Sequence, residues 1–176
     1  MLRKKKLYLR PRKAFEKTRI GEENVLVKKY GLKNKKEVWK TLAKVNYFRR
    51  RAKELARSPI EEQEVLFGKL KAIGLKVDSI SDVLGLSVED LLARRLPTIV
   101  NKIGLATTPK QARQLVTHKK ILVNGNVVNS PSYIVRVAEE KNIFIKIKNK
   151  APKQVESKTE NQAGSPAEVL DKGGNA

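Results

Sequence analysis

The stretch TTPKQARQLVTHKKILVNGNVV, residues 107–128, constrains the fold more than any other part of the chain. Thr108 as N-cap, Pro109 at the first helical position and Gln111 at the third form a helix-start signal of the capping-box type. The Asn124-Gly125 pair follows, set between Ile121-Leu122-Val123 and Val127-Val128. Both turn residues tolerate the positive φ that a tight hairpin demands. A short helix running directly into a hairpin is thus specified locally. On that helix Ala112, Leu115 and Val116 face inward, while Lys110, Arg113, Gln114 and Thr117 recur outward at helical spacing. A packed core does not require Arg113, His118, Lys119 and Lys120 around such a turn; a surface that holds a phosphate chain does.

Charge makes the same demand on the whole chain. Its 176 residues carry 39 Lys+Arg against 18 Asp+Glu, a formal net charge of +21. A field of that size is most readily sustained by a polyanion, and nucleic acid is the usual one. The excess is concentrated in residues 1–60, with 21 basic and 5 acidic side chains, and nearly vanishes after residue 150. No apolar run is long enough for a membrane span, so no membrane partner is expected. The absence of cysteine excludes disulfides and thiolate-bound zinc. Neither a metal nor another cofactor is expected.

The rest of the chain reads as helices. Residues 1–20 form a basic arm, expected to be extended, and helical spacing begins near Glu22 and stops near Tyr30-Gly31. A helix over 35–57 places Val38, Leu42, Val45, Phe48, Ala52 and Leu55 on one stripe. Lys36, Lys40, Lys44, Tyr47 and Arg51 lie on its other side, cationic nearly throughout. Ordinary solvated faces mix both signs, so this face is a candidate RNA contact. Ser58-Pro59 opens a helix to Ile73, whose Glu61, Glu62 and Glu64 suit the positive end of the helix dipole. A linker follows, then a helix capped by Ser87 and Asp90, broken at Arg95–Leu96 by Pro97. SYIVRV and NIFIKIK read as strands, the second alternating Ile143, Ile145 and Ile147 against Phe144, Lys146 and Lys148. The polar tail 151–176 is expected to be disordered.

RRLPTIVNKIGLATTPKQARQLVTHKKILVNGNVVNSPSYIV resembles the small RNA-binding module named after small-subunit ribosomal protein four. YGLKNKKEVWK and LGLSVEDLLARRL extend the resemblance upstream to the archaeal and eukaryotic-type form of that ribosomal protein family. The resemblance implies an α+β chain: a basic helical N-terminal region, then two helices packed on a short sheet. It divides the chain into a basic arm and helix (1–57), a helical segment (58–93), the RNA-binding module (94–150) and the tail (151–176). It further implies RNA contacts from Arg94, Arg95, Thr108, Lys110, Gln111, Arg113, Gln114, His118, Lys119, Asn124 and Gly125, to which position adds Lys102 and Lys120. Arg113 is expected to fork onto two phosphate oxygens, with Lys110 and Lys119 as point charges. Pro97 stands where the module usually has an acidic or amide residue. Bacterial relatives often hold the N-terminal region with a cysteine zinc cluster, which this chain lacks.

Tyr133 either stacks on a base or packs. His118, the single histidine, lacks the partners that a metal site or a catalytic base requires. It is expected to end the helix or to hydrogen-bond RNA. The function implied is a structural, cytoplasmic component of the small ribosomal subunit that binds its rRNA directly, nucleates folding and contributes to translational accuracy. Expected partners are that rRNA, neighbouring proteins including ribosomal protein five, and mRNA near where it enters the subunit. A pre-rRNA processing factor with the same module is the alternative. Pseudouridine synthases and some tRNA synthetases append this module to a catalytic domain, for which this chain has no space, so no enzymatic activity is expected.

Overall fold

A computed structural model describes residue 6 and residues 8–146. The tail, the end of the last expected strand (Ile147 and Lys148) and the first residues of the arm lie outside that range. Helix α1 spans Lys17–Lys29, starting earlier than the apolar spacing from Glu22 implies. Arg19 accounts for the early start, since its guanidinium donates to Glu23 one turn on (2.6 Å) and to the Lys13 and Ala14 carbonyls. Helices α2 (Lys35–Leu55) and α3 (Ile60–Ile73) follow. Gly74 ends α3 at φ 90°, a left-handed conformation that suits glycine.

The expected linker contains a further short helix, α4 (Ile80–Gly85), begun by a Ser79–Asp82 capping box. Ser87 and Asp90 form a second box at α5 (Val88–Ala93). The chain breaks at Arg94-Arg95, and α6 (Leu96–Lys102) restarts with Pro97 in its first turn, where the missing N–H is harmless. Helix α7 covers Pro109–Thr117, capped by the Thr108 hydroxyl, which accepts from the Gln111 N–H. The box is shifted by one residue: the Gln111 side chain accepts from Thr107 rather than from Thr108.

Strands β1 (Ile121–Val123) and β2 (Asn126–Val127) form the predicted hairpin, with Asn124 at φ 49° and Gly125 at φ 79°. Strand β3 (Ile143–Ile145) pairs antiparallel with the other side of β1, giving the order β2-β1-β3. SYIVRV is not a strand. It makes a single bridge, Ile134 with Arg95, and then enters the short helix α8 (Val137–Glu140). Its backbone pairs with the α5–α6 break at Arg94 and Leu96, a stretch too short to act as a partner strand.

Two apolar clusters account for most of the core. Val45 and Ala52 of α2 pack with Leu70, Val77, Val83 and Leu91. Leu96, Ile99 and Val100 of α6 pack with Ala112, Val116, Ile121, Val123, Val135 and Ile143. Leu42 is exposed, contrary to its place on the apolar stripe of α2. The architecture is α+β, mostly helical with one small antiparallel sheet.

Candidate RNA interface

Helix α7 and the hairpin turn supply the centre of the candidate surface. Because Ala112 and Val116 are buried against α6, helical geometry turns Lys110, Gln111, Gln114 and Thr117 outward, and all four are exposed. The helix ends at His118, and Lys119 takes a left-handed conformation (φ 57°) that swings the chain into β1. Gln111, Gln114, Leu115, His118 and Lys120 line one concavity beside this turn. Asn124 and Gly125 lie exposed at the hairpin tip. Lys102 is not part of this group; it lines a different concavity with Lys76, Asp90 and Arg94.

The arginines behave otherwise than expected. Arg113 does fork onto two oxygens, but they belong to Glu37 of α2: Nη2 donates to Oε1 (2.7 Å) and Nη1 to Oε2 (3.1 Å). Arg95 is 6% exposed; its Nη2 donates to Glu37 Oε2 (2.7 Å) and to the Pro131 carbonyl (3.0 Å). Arg94 donates to the Ile73 carbonyl (2.6 Å), to Glu140 (3.1 Å) and to the Val135 carbonyl. The three side chains therefore hold the protein together instead of presenting open forks to phosphate. A guanidinium removed from water needs acceptors on every side, and here the fold provides them.

Glu37 lies at the centre of this arrangement. Burial on its own would raise the carboxyl pKa, but the hydrogen bonds from Arg113 and Arg95 prevail and hold it below the ordinary carboxylate value. Sequence reasoning missed Glu37, whose only local signal is an acid in the first turn of a helix. Its two partners lie 58 and 76 residues away.

The clamp fixes α2 beside α7. On the α2 wheel Lys36, Lys40, Lys44, Tyr47 and Arg51 occupy an arc adjoining Glu37, and all five are exposed, Tyr47 by 60%. Lys44 is exposed as a residue, yet partial desolvation of its ammonium and then the Arg95 charge push its pKa below the usual lysine value. Lys40 lies 5.9 Å from the centre of the Tyr8 ring, and Tyr8 packs against Trp39 (6.3 Å). The end of the basic arm is thus held against α2 by aromatic contacts. Tyr133 packs on the module core and donates to Glu139 (2.8 Å); burial, then Glu139, raise its pKa.

Comparison with known proteins accords with this geometry. Residues 94–141 match the S4 domain family. Small ribosomal subunit protein uS4 of Methanothermobacter thermautotrophicus is 44% identical over 159 residues, 87% of this chain and 93% of that protein. The chain belongs to the uS4 family. The uS4 of Methanococcus aeolicus is 45% identical over 142 residues (77% of this chain, 80% of that protein). That of Saccharolobus solfataricus is 48% identical over 131 residues (70% and 72%). The S4 domain match begins at Arg94, so the Arg94 and Arg95 contacts of this uS4 chain join that domain to the helices before it.

Proposed function

We propose that this small ribosomal subunit protein binds small-subunit rRNA directly, nucleates folding of the subunit body and contributes to translational accuracy. The observation that carries the reading is the exposed row Lys110, Gln111, Gln114, His118, Lys119 and Lys120, continued by the Asn124-Gly125 turn and clamped beside the cationic arc of α2. Lysines and amides held on one rigid body recognise folded RNA by shape and by backbone contact. Arg94, Arg95 and Arg113 enter this mechanism as the frame that orients the row. Residues 94–150 are proposed as the RNA-binding module, 58–93 as a helical spacer, 1–57 as the second cationic surface and 151–176 as a separate tail.

Partners proposed beyond rRNA are neighbouring small-subunit proteins, ribosomal protein five among them, and mRNA near its point of entrance to the subunit. Relatives named uS4 at 44–48% identity favour a resident subunit protein over a pre-rRNA processing factor. Filter binding to small-subunit rRNA across a salt series tests the reading. With roughly 8 neutralised phosphates the log–log slope is about −6 to −7. A nearly flat response rejects it.

A further inference from the structure

The three-stranded sheet, whose strands β1 and β2 fall within the S4 domain match, has a second face with an apolar row that the proposed interface leaves unused. Ile121, Val123 and Ile143 point into the core, so alternation along the strands turns Leu122 and Phe144 the other way. The register sets Leu122 directly opposite Val127 on one side and Phe144 on the other, making an apolar row across all three strands. Phe144 is 58% exposed and Val127 45% exposed. Beside this row lie Lys120 and Lys146, both exposed and joined by a backbone hydrogen bond from Lys146 N–H to the Lys120 carbonyl (2.8 Å). Two residues along a strand is about 7 Å, so a cation stands within one nucleotide's reach of the ring.

Single exposed apolar residues need no explanation, but Phe144 and Val127 flanking the half-buried Leu122 in register form a patch. An aromatic ring and aliphatic neighbours bordered by ammonium groups match the two halves of a nucleotide, a flat base and an anionic phosphate. Lys120 also borders the α7 concavity, so the patch is continuous with the proposed interface.

We propose that this sheet face is a second RNA site, taking an unpaired nucleotide of a single-stranded segment. The base stacks on Phe144 beside Leu122, and the flanking phosphates meet Lys120 and Lys146. The inference rests on the rRNA-binding reading but concerns an adjoining face that meets the first interface at Lys120.

The test is photo-crosslinking of the full chain to 4-thiouridine-substituted small-subunit rRNA, together with filter binding of Phe144 variants. Crosslinks at Phe144 or Leu122 are expected. Phe144→Leu, which keeps an apolar side chain but no ring, should weaken binding about tenfold, the size of one lost base–aromatic stack. Phe144→Tyr should restore it. Unchanged circular dichroism of both variants would show that the exposed position leaves the fold intact. If Phe144→Leu binds as tightly as wild type, or if crosslinks are confined to α2 and α7, the proposal fails while the rRNA reading stands. Crosslinking of this face to a neighbouring protein in assembled subunits would overturn it in favour of a protein contact. Failure of the wild-type chain to bind rRNA at all would remove both.

Discussion

Glu37 does two things that no other carboxylate in the described chain does together: it satisfies two guanidinium groups and links α2 to the S4 domain. Removing one member of a partly buried ion-pair network leaves the remaining charges, buried Arg95 above all, short of partners, which costs more than the network contributes. Glu37→Ala is therefore expected to destabilise the protein by about 3 kcal/mol, read as a lowered urea midpoint with an unchanged m-value. An unchanged midpoint would mean that water replaces the carboxylate at no cost. The depressed Glu37 pKa also sets a pH dependence. Its contribution is complete above the unfolded-state value near 4.5 and is lost as pH falls through the lower folded-state value. Between about pH 5 and pH 3 the stability gap between wild type and Glu37→Gln should narrow. A gap constant across that range in urea titrations would contradict the assignment. The sequence did show that Arg113 leaves α7 on the side away from the core. It could not show what lies there, because helical periodicity reports a direction and a partner 76 residues distant leaves no local trace.

Elements were legible where side chains cap their own backbone. The Thr108, Ser87 and Asn124-Gly125 signals each act within four residues, and each forms where its chemistry predicts. SYIVRV misled because β-branched content records fitness for a pleated surface, not the presence of a neighbouring strand. Helix α8 instead begins where the Glu139 carboxylate, two residues past that stretch, accepts from the Arg136 backbone N–H (3.3 Å). At Gly31, between α1 and α2, the close neighbour is backbone. The Gly31 φ is 58°, and a Cβ there would lie 2.9 Å from the Pro109 carbonyl carbon and 3.0 Å from the Lys110 nitrogen, at the start of α7. Gly125 has a similar positive φ but open space around it. Gly125→Ala should then cost only the left-handed strain, about 1–2 kcal/mol, and Gly31→Ala distinctly more, because two backbones must separate. Thermal midpoints of the two variants measured side by side decide this; equal shifts would show that α7 yields freely.

At the scale of the whole molecule, charge and fold divide the cations into two groups with different tasks. Arg94, Arg95 and Arg113 face protein acceptors and set how the helices sit on one another, while Arg19 braces the start of α1. Lys36, Lys40, Lys44 and Lys53 of α2 and Lys110 of α7 stay exposed and carry the field outward, whereas Lys35 pairs with Glu23. Composition revealed the field but not this division, since a net charge of +21 counts a clamped guanidinium and a solvated ammonium alike. The distinction has a measurable consequence, because only cations that meet phosphate release counterions. Lys36→Ala combined with Lys40→Ala should reduce the magnitude of the salt slope on small-subunit rRNA by about 1.4–1.8, and Lys110→Ala by about 0.7–0.9. On one rigid body, distant sites act independently, so the triple variant should show the sum of these losses. Glu37→Gln leaves every exposed lysine in place. It should lower affinity by loosening α2 from α7 while the slope measured at saturating contact stays near that of wild type. If the paired α2 substitutions leave the slope unchanged, that arc faces solvent in the complex and the α7 row meets the RNA without it.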